Sequence, residues 1–237
     1  MTGESGFPFA GLGPLRFPGP PPARTDVVVV GGGIIGVMTA WHLAEQGLSV
    51  VLCEKGRVGA EQSGRNWGWV RQQGRDPAEL PIMIEAMGLW KRLAQEVPGL
   101  GFVQSGVMYL AKTAKEVEAF EAFMVHARAH DLDTVMMGRA AVEARLGTAG
   151  GWTAGMWTAS DARAEPWVVV PLLATALAAK GVTIVEGCAV RALDVAAGRV
   201  AGVVTEAGRI ACGAVVVAGG AWSRLFLGNA GVRIPQL

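Results

Sequence analysis

An α/β fold organised around a parallel sheet is what this sequence predicts, and three observations predict it. Val27, Val28, Val29 and Val30 form a continuous β-branched run, as expected of a parallel strand buried on both faces. The run leads into GGGIIG, a glycine turn that opens a helix. A second all-apolar run at 214–217 is followed by Ala218, Gly219 and Gly220, so the strand-then-glycine pattern recurs late in the chain. Between them lies a stretch of mixed helical and alternating segments. The order gives a Rossmann-like domain with a smaller α+β region inserted into it.

Gly31, Gly33 and Gly36 occupy the GxGxxG positions. The first permits the tight turn, the second lets a pyrophosphate approach the backbone, and the third lets helix and strand pack closely. The helix over 34–46 points its unpaired N–H groups and positive dipole end at that pyrophosphate. Gly47 stops it. A second strand over 49–53 ends at Glu54, eighteen residues beyond Gly36. That carboxylate can accept both hydroxyls of a ribose, in charge-assisted bonds worth roughly 1.5–3 kcal/mol each. It would repel a 2′-phosphate, which argues against an NADP-type ligand. Strand, turn, helix and acid together make the cradle for an adenine dinucleotide.

After Glu54 comes a loop over 55–74, rich in Gly, Gln and Arg and holding Trp67 and Trp69. Asp76-Pro77-Ala78-Glu79 reads as a capping box with proline at the first helical position. Its helix runs to about 96 with Met83, Met87, Trp90 and Ala94 on one face, and Pro81 makes the first turn irregular. Residues 101–112 alternate as a hairpin would. Thr113 to Glu116 is a second capping box, opening a helix to about 130 with Val117, Phe120, Met124 and Ala127 inward. A strand at 135–137, a helix at 138–146 and a turn and strand at 150–159 follow. Pro166 and Pro171 mark the start of an apolar helix that ends at Gly181, and strands at 183–186, 189–195, 200–206 and 214–217 complete the chain. The expected organisation is a flexible Pro/Gly-rich extension over 1–25, a discontinuous dinucleotide-binding domain over 26–75 and 165–237, and a partial substrate or cap domain over 76–164.

Composition excludes some classes. The chain has 237 residues and a net charge of +1, and its basic residues form no run or stripe, so nothing points to nucleic acid. Cys53, Cys188 and Cys212 lack metal-ligand spacing and read as buried free thiols, which fits a reducing cytoplasm. No apolar stretch is long enough for a spanning helix; peripheral membrane contact stays open. The first 25 residues hold six of the twelve prolines and lack the charged start and apolar core of a signal peptide. His126 and His130 stand four apart on a helix, but without a third ligand they read as a solvent-facing pair. Met136 and Met137 read as core filler.

From Asp26 onward the chain resembles the FAD-dependent oxidoreductases of the D-amino-acid oxidase, glycine oxidase and sarcosine oxidase type. The resemblance rests on VVVVGGGIIGVMTAWHLAEQG, the EKG that ends the second strand, and the SGRNWGWVRQ loop. It also rests on PLLATALAAKGVTIVEGCAVRAL and the late VVVAGGAWS turn. Within the family the chain looks nearest to D-amino-acid dehydrogenases and the related opine and imino-acid dehydrogenases. The resemblance implies that FAD is the cofactor and that Ile34 and Ile35 lie on the pyrophosphate turn. It puts Glu54 and Lys55 on the adenosine ribose. Gln62, Ser63, Trp67, Gly68 and Trp69 would line the flavin, Val190 would meet the adenine through its backbone, and Gly219 and Gly220 would close over the dinucleotide. For Trp67 and Trp69 packing is the alternative, and for Ser63 a turn cap. Arg65 and Arg71 are equally well read as surface charges or as substrate or phosphate ligands.

The implied chemistry is hydride transfer from the amine-bearing carbon of an amine or amino acid to flavin N5, leaving an imine that hydrolyses to an oxo acid and ammonia. No general base is required if the amine arrives unprotonated, and no catalytic residue is assigned. Members of the family continue well past Leu237 and carry their substrate-holding residues there, so the chain is expected to be an N-terminal part of such an enzyme, C-terminally truncated. Two alternatives stand beside this reading. One is an FAD-dependent 2-hydroxy acid or glycerol-phosphate-type dehydrogenase; the other is an inactive flavin-binding fragment or a subunit of a heteromeric enzyme.

Overall fold

The computed structural model describes residues 14–235. In chain order the elements are β1 (Val27–Val30), α1 (Ile34–Glu45), β2 (Val50–Cys53), β3 (Trp69–Val70), α2 (Leu80–Glu96), β4 (Phe102–Val103) and β5 (Val107–Ala111). Next come α3 (Ala114–Ala129), β6 (Thr134–Gly138), α4 (Arg139–Leu146), β7 (Ala154–Thr158), β8 (Ala162–Ala164) and α5 (Pro166–Ala179). The last are β9 (Thr183–Val185), β10 (Val190–Ala196), β11 (Arg199–Thr205), β12 (Gly208–Ala211), β13 (Ala214–Val217) and α6 (Ser223–Asn229). They form two compact units, one from the segment up to Trp67 together with that from Pro166 onward, the other from Gly68–Glu165.

The first unit is built on a four-stranded parallel sheet in the order β13-β1-β2-β9. Val27, Val28 and Val29 of β1 are buried because β1 is central and each face is covered. One face carries Val28, Val51, Cys53 and Val185 against Val203 and Ile210 of the antiparallel sheet β10-β11-β12 and Cys212 just after it. The other lies under α1 and α5, whose Val37, Ala40, Trp41, Leu173 and Leu177 are fully buried. The result is three layers: helices, parallel sheet, antiparallel sheet. Cys53, Cys188 and Cys212 are free and buried as expected, and burial, with Cys188 beside it, pushes the Cys53 thiol up from its ordinary value.

The expected flexible extension needs correcting. Its residues 1–13 lie outside the described part, but residues 14–25 are tied to the first unit. Thr25 donates its N–H to the Ala211 carbonyl, and Arg24 bridges to Ala211. The anchor is Glu186, a buried carboxylate just after β9. Its Oε2 accepts the N–H groups of Arg16 (2.7 Å) and Phe17 (3.2 Å), and its Oε1 accepts the N–H of Val58 (2.8 Å). A proline-rich composition signals disorder only when the segment has no partner, and here a distant buried acid supplies one. Glu186→Ala leaves three backbone donors without an acceptor and is expected to cost about 2–4 kcal/mol. Hydrogen exchange at Val58 reads this directly: protection should fall, and unchanged protection would contradict the assignment.

The second unit holds two three-stranded antiparallel sheets, β3-β8-β4 and β5-β7-β6. Leu80, Phe123, Met124, Ala127 and Met156 form its core. The Thr113–Glu116 capping box is complete, with the threonine hydroxyl and the glutamate carboxylate each meeting the other residue's backbone N–H. Asp76 accepts the N–H of Ala78, but a short 3-10 turn over Pro77–Glu79 precedes α2, and Pro81 falls harmlessly in the first turn of that helix.

Three expectations are corrected here. Residues 101–112 are not a hairpin: β4 pairs with β8 and β5 with β7, and the chain changes sheet at Gly106 (φ +71°), whose N–H meets the Asp161 carbonyl. Residues 68–75 go with this unit, because β3 pairs with β8. Met136, half-buried, packs against this core as expected, whereas Met137 is half-buried outside that cluster. Asp161, fully buried, accepts the backbone N–H groups of Gln72 (2.7 Å) and Gln73 (3.1 Å); burial, partly offset by these bonds, raises its carboxyl above the ordinary value.

Candidate functional site

Because β13, β1 and β2 run parallel and side by side, their carboxyl ends share one edge of the sheet. The loops that leave them converge there, which is where ligands bind in open α/β sheets. The glycine turn leaves β1, residues 54–63 leave β2, and residues 218–222 leave β13. They enclose a cavity of about 640 Å³, lined entirely by the first unit. Cofactor and small-molecule sites span roughly 300–1,000 Å³.

The turn fits its role by what it cannot accommodate. Gly31 has φ +111°, and a Cβ there would lie 2.5 Å from the carbonyl oxygen of Ala218 on the neighbouring loop. At Gly36 a Cβ would lie 1.9 Å from the carbonyl oxygen of Gly31. So Gly31 lets the β13 loop close in, and Gly36 lets α1 settle on the strand it follows. At Gly33 the neighbour is the Ser63 hydroxyl, 3.0 Å from a built Cβ.

Glu54 is buried, and both its oxygens are already engaged: Oε2 accepts the N–H of Gly32 and Oε1 that of Gly56, each at 2.7 Å. A carboxylate offers about four acceptor sites. Two therefore remain, one on each oxygen, for a pair of vicinal hydroxyls. The two backbone bonds fix the carboxylate plane before any ligand arrives. Ser63 has two places in this arrangement. Its Oγ accepts the N–H of Ile34 at 2.9 Å, capping α1 from the loop after β2, and it also lines the cavity. Gly33 at the N-cap has no side chain to do this. Ser63→Ala is expected to lower stability by about 0.5–2 kcal/mol, the usual cost of a lost cap, measured by denaturant unfolding.

The structure brings Gly31, Gly33, Ile35, Glu54, Lys55 and Gln62 to the cavity wall. Ser63, Val190, Gly219 and Gly220 join them there. Ile35 is 69% exposed, an apolar side chain standing in the opening. Ile34 and Gly36 are not in the wall; they shape the helix behind it. Trp67, Gly68 and Trp69 do not line this cavity. Trp67 is 83% exposed, and Trp69 stands in β3 of the second unit, with the Arg71 guanidinium 5.6 Å from its ring and from that of Tyr109. Arg65 pairs with Glu61 at 3.2 Å.

Sequence reasoning missed two parts of the wall. One is the 57–61 stretch, where Arg57, Gly59 and Glu61 contribute. The other is the face of α6 and the turn before it: Trp222, Leu225, Phe226 and Asn229. Those four stand at i, i+3, i+4 and i+7, a helical stripe that was legible in the residues. Arg191 also reaches the wall, at an irregularity in the β10–β11 ladder between Val190 and Ala192, and pairs with Glu206.

Chemically the wall offers a glycine turn and helix start for a pyrophosphate, a fixed carboxylate for a ribose, and apolar surface from Val190, Leu225 and Phe226 for a flat ring. That donor set fits an adenine dinucleotide. Among the described residues no group of three or more His, Cys, Asp or Glu is placed to hold a metal ion, and no helix is long and apolar enough to cross a membrane.

Comparison with known proteins agrees with this geometry. The chain is 28% identical to human mitochondrial sarcosine dehydrogenase over 94% of its own length and 25% of that protein's. It is 32% identical to the glycine oxidase of Pseudomonas putida, covering 89% of this chain and 59% of that protein. Among solved structures, L-amino acid deaminase from Proteus myxofaciens superposes with a TM-score of 0.88 at 34% identity, over 93% of this chain and 51% of that one. The chain thus spans between a quarter and about three-fifths of the length of these relatives. The sequence pattern of one family, DAO, described as FAD dependent oxidoreductase, matches residues 26–237. Matched by that family over nearly its whole length, the chain belongs to the DAO family of FAD-dependent oxidoreductases.

Proposed function

We propose that this chain is the FAD-holding part of an enzyme that oxidises an amine or amino acid. The observation that carries the reading is the Glu54 carboxylate, pre-set by its bond to the glycine turn and lining one cavity with it. FAD, when bound, supplies the two-electron acceptor that takes a hydride from the amine-bearing carbon. The chain's own residues do the holding. Glu54 orients the ribose, the start of α1 and the Ser63 hydroxyl meet the pyrophosphate, and Val190, Leu225 and Phe226 keep water from the ring they face. The names of the relatives, sarcosine dehydrogenase and glycine oxidase, support a small secondary or primary amine as substrate.

The residues that grip that substrate belong to the region the relatives have beyond the part matched here. A second subunit is one source of it: the chain is 30% identical to sarcosine oxidase subunit beta of Rhizobium meliloti, whose name marks it as one subunit of an assembly. Buried free thiols support a reducing, cytoplasmic setting. The test is an anaerobic substrate screen on the FAD-loaded protein with its partner region supplied, following loss of flavin absorbance. Bleaching by amines or amino acids supports the proposal. Bleaching only by 2-hydroxy acids or glycerol phosphate would move the function to C–O oxidation, and FAD uptake without bleaching by any of these would leave a binding module.

A further inference from the structure

Lys55, expected on the adenosine ribose, has its ammonium against the Trp222 ring instead, a contact that holding a ribose does not call for. The Lys55 ammonium lies 4.0 Å from the centroid of the Trp222 ring, and 2.9 Å from Glu61 Oε1, which pairs in turn with Arg65. Lys55, Glu61 and Trp222 all line the same cavity. Their places in the fold give the contact its meaning. Lys55 follows β2 and Trp222 follows β13, and the sheet order β13-β1-β2 puts β1 between those strands. A contact between the two flanking loops therefore passes across the carboxyl end of β1, over the glycine turn that cradles the dinucleotide.

We propose that Lys55 and Trp222 form a latch across the mouth of the FAD site, which opens to admit the cofactor and closes to retain it. The proposal rests on the FAD-holding role above. Glu61 holds the ammonium in place from the β2 side, and that ion pair keeps the Glu61 carboxyl below its ordinary value. On the other side the indole is set by the 3-10 turn over Gly220–Trp222, where the Trp222 N–H meets the Gly219 carbonyl. The latch is thus a cation held by one loop against a ring held by the other. A residue that merely touched FAD would slow its release alone. A latch slows entry and release together.

The experiment is stopped-flow mixing of the FAD-free chain with FAD, and release of FAD into excess apo-acceptor, followed by flavin fluorescence. Wild type is compared with Lys55→Met, Trp222→Leu, the double variant and Lys55→Arg. Each single apolar variant should speed both entry and release by the same factor, within the roughly 2- to 30-fold that a cation–π contact spans. The double variant should be no faster than either single, because the two side chains act as one unit. Lys55→Arg keeps a cation against the indole and should return both rates to within about twofold of wild type. Faster release with unchanged entry, slower entry in Lys55→Met, or effects that multiply in the double variant would each overturn the latch. A wild-type chain that takes up no FAD would overturn the FAD-holding role and the latch with it, so the two failures are distinguishable. A second readout needs no cofactor. In chain labelled with 5-fluorotryptophan, the ¹⁹F resonance assigned through Trp222→Phe should move in Lys55→Met, and a resonance that stays put removes the contact on which the latch depends.

Discussion

An alanine at Gly36 is expected to destabilise the first unit by about 3 kcal/mol, at the upper end of the usual cost of overpacking. The added methyl would fall 1.9 Å from the Gly31 carbonyl oxygen, well inside any real contact. Both atoms are backbone or bound directly to it, so no flexible side chain can give way. Relief requires α1 to lift off β1, and that lifts Val37, Ala40 and Trp41 out of the layer they fill. The effect should reach the site as well, because the start of α1 and the glycine turn move with the helix. Denaturant unfolding of the variant checks this, with FAD affinity read alongside. A variant within about 0.5 kcal/mol of the parent, the scatter of an ordinary surface change, would mean that helix and strand do not meet here as described.

Glu54→Gln is expected to weaken FAD binding by about 10- to 150-fold. That corresponds to the roughly 1.5–3 kcal/mol carried by a charge-assisted hydrogen bond. The substitution preserves shape, so the change isolates chemistry. One carboxylate oxygen becomes an amide nitrogen, which cannot accept from Gly32 or Gly56 and cannot accept a ribose hydroxyl. The amide thus faces a backbone donor with a donor, and the apo chain should also lose about 1–3 kcal/mol of stability. Isothermal titration with FAD gives the first number and thermal unfolding of the FAD-free chain the second. Full retention of FAD affinity would remove Glu54 from the ribose site.

The sequence made the first unit legible because its signals are local. Four valines, a glycine turn, a helix ended by Gly47 and an acid beyond the second strand all lie within thirty residues, and each has one good physical reading. The complete capping box at Thr113 was legible for the same reason. What escaped depends on partners far along the chain. The strand pairing that splits 101–112 between two sheets is set by β7 and β8, some fifty residues downstream, and a short alternating run looks the same whichever strand it meets. Glu186 read as the end of a strand, because nothing in its neighbourhood reveals that it will gather the N–H groups of Arg16, Phe17 and Val58. The short β8 and β12, at three and four residues, carry too little pattern to stand out.

The site divides along the same line. Gly31 and Glu54 are legible from spacing, since the chemistry of a dinucleotide dictates what must stand there, while the late glycines are implied by the family resemblance. The stripe of Trp222, Leu225, Phe226 and Asn229 was written in helical spacing, yet it follows a glycine turn whose claim on attention was stronger. The second bond of Glu54, to Gly56, was not foreseeable, because it depends on how the loop after β2 doubles back.

The central claim is that the glycine turn and Glu54 of this chain hold FAD, and the most direct measurement is a titration of the purified, FAD-free chain with FAD, followed by quenching of flavin fluorescence. Saturable binding with one FAD per chain, weakened in Glu54→Gln and strongly impaired in Gly36→Ala, is the expected result. A chain that is correctly folded by circular dichroism and binds no FAD, or binds it equally well with and without the Glu54 carboxylate, would contradict it.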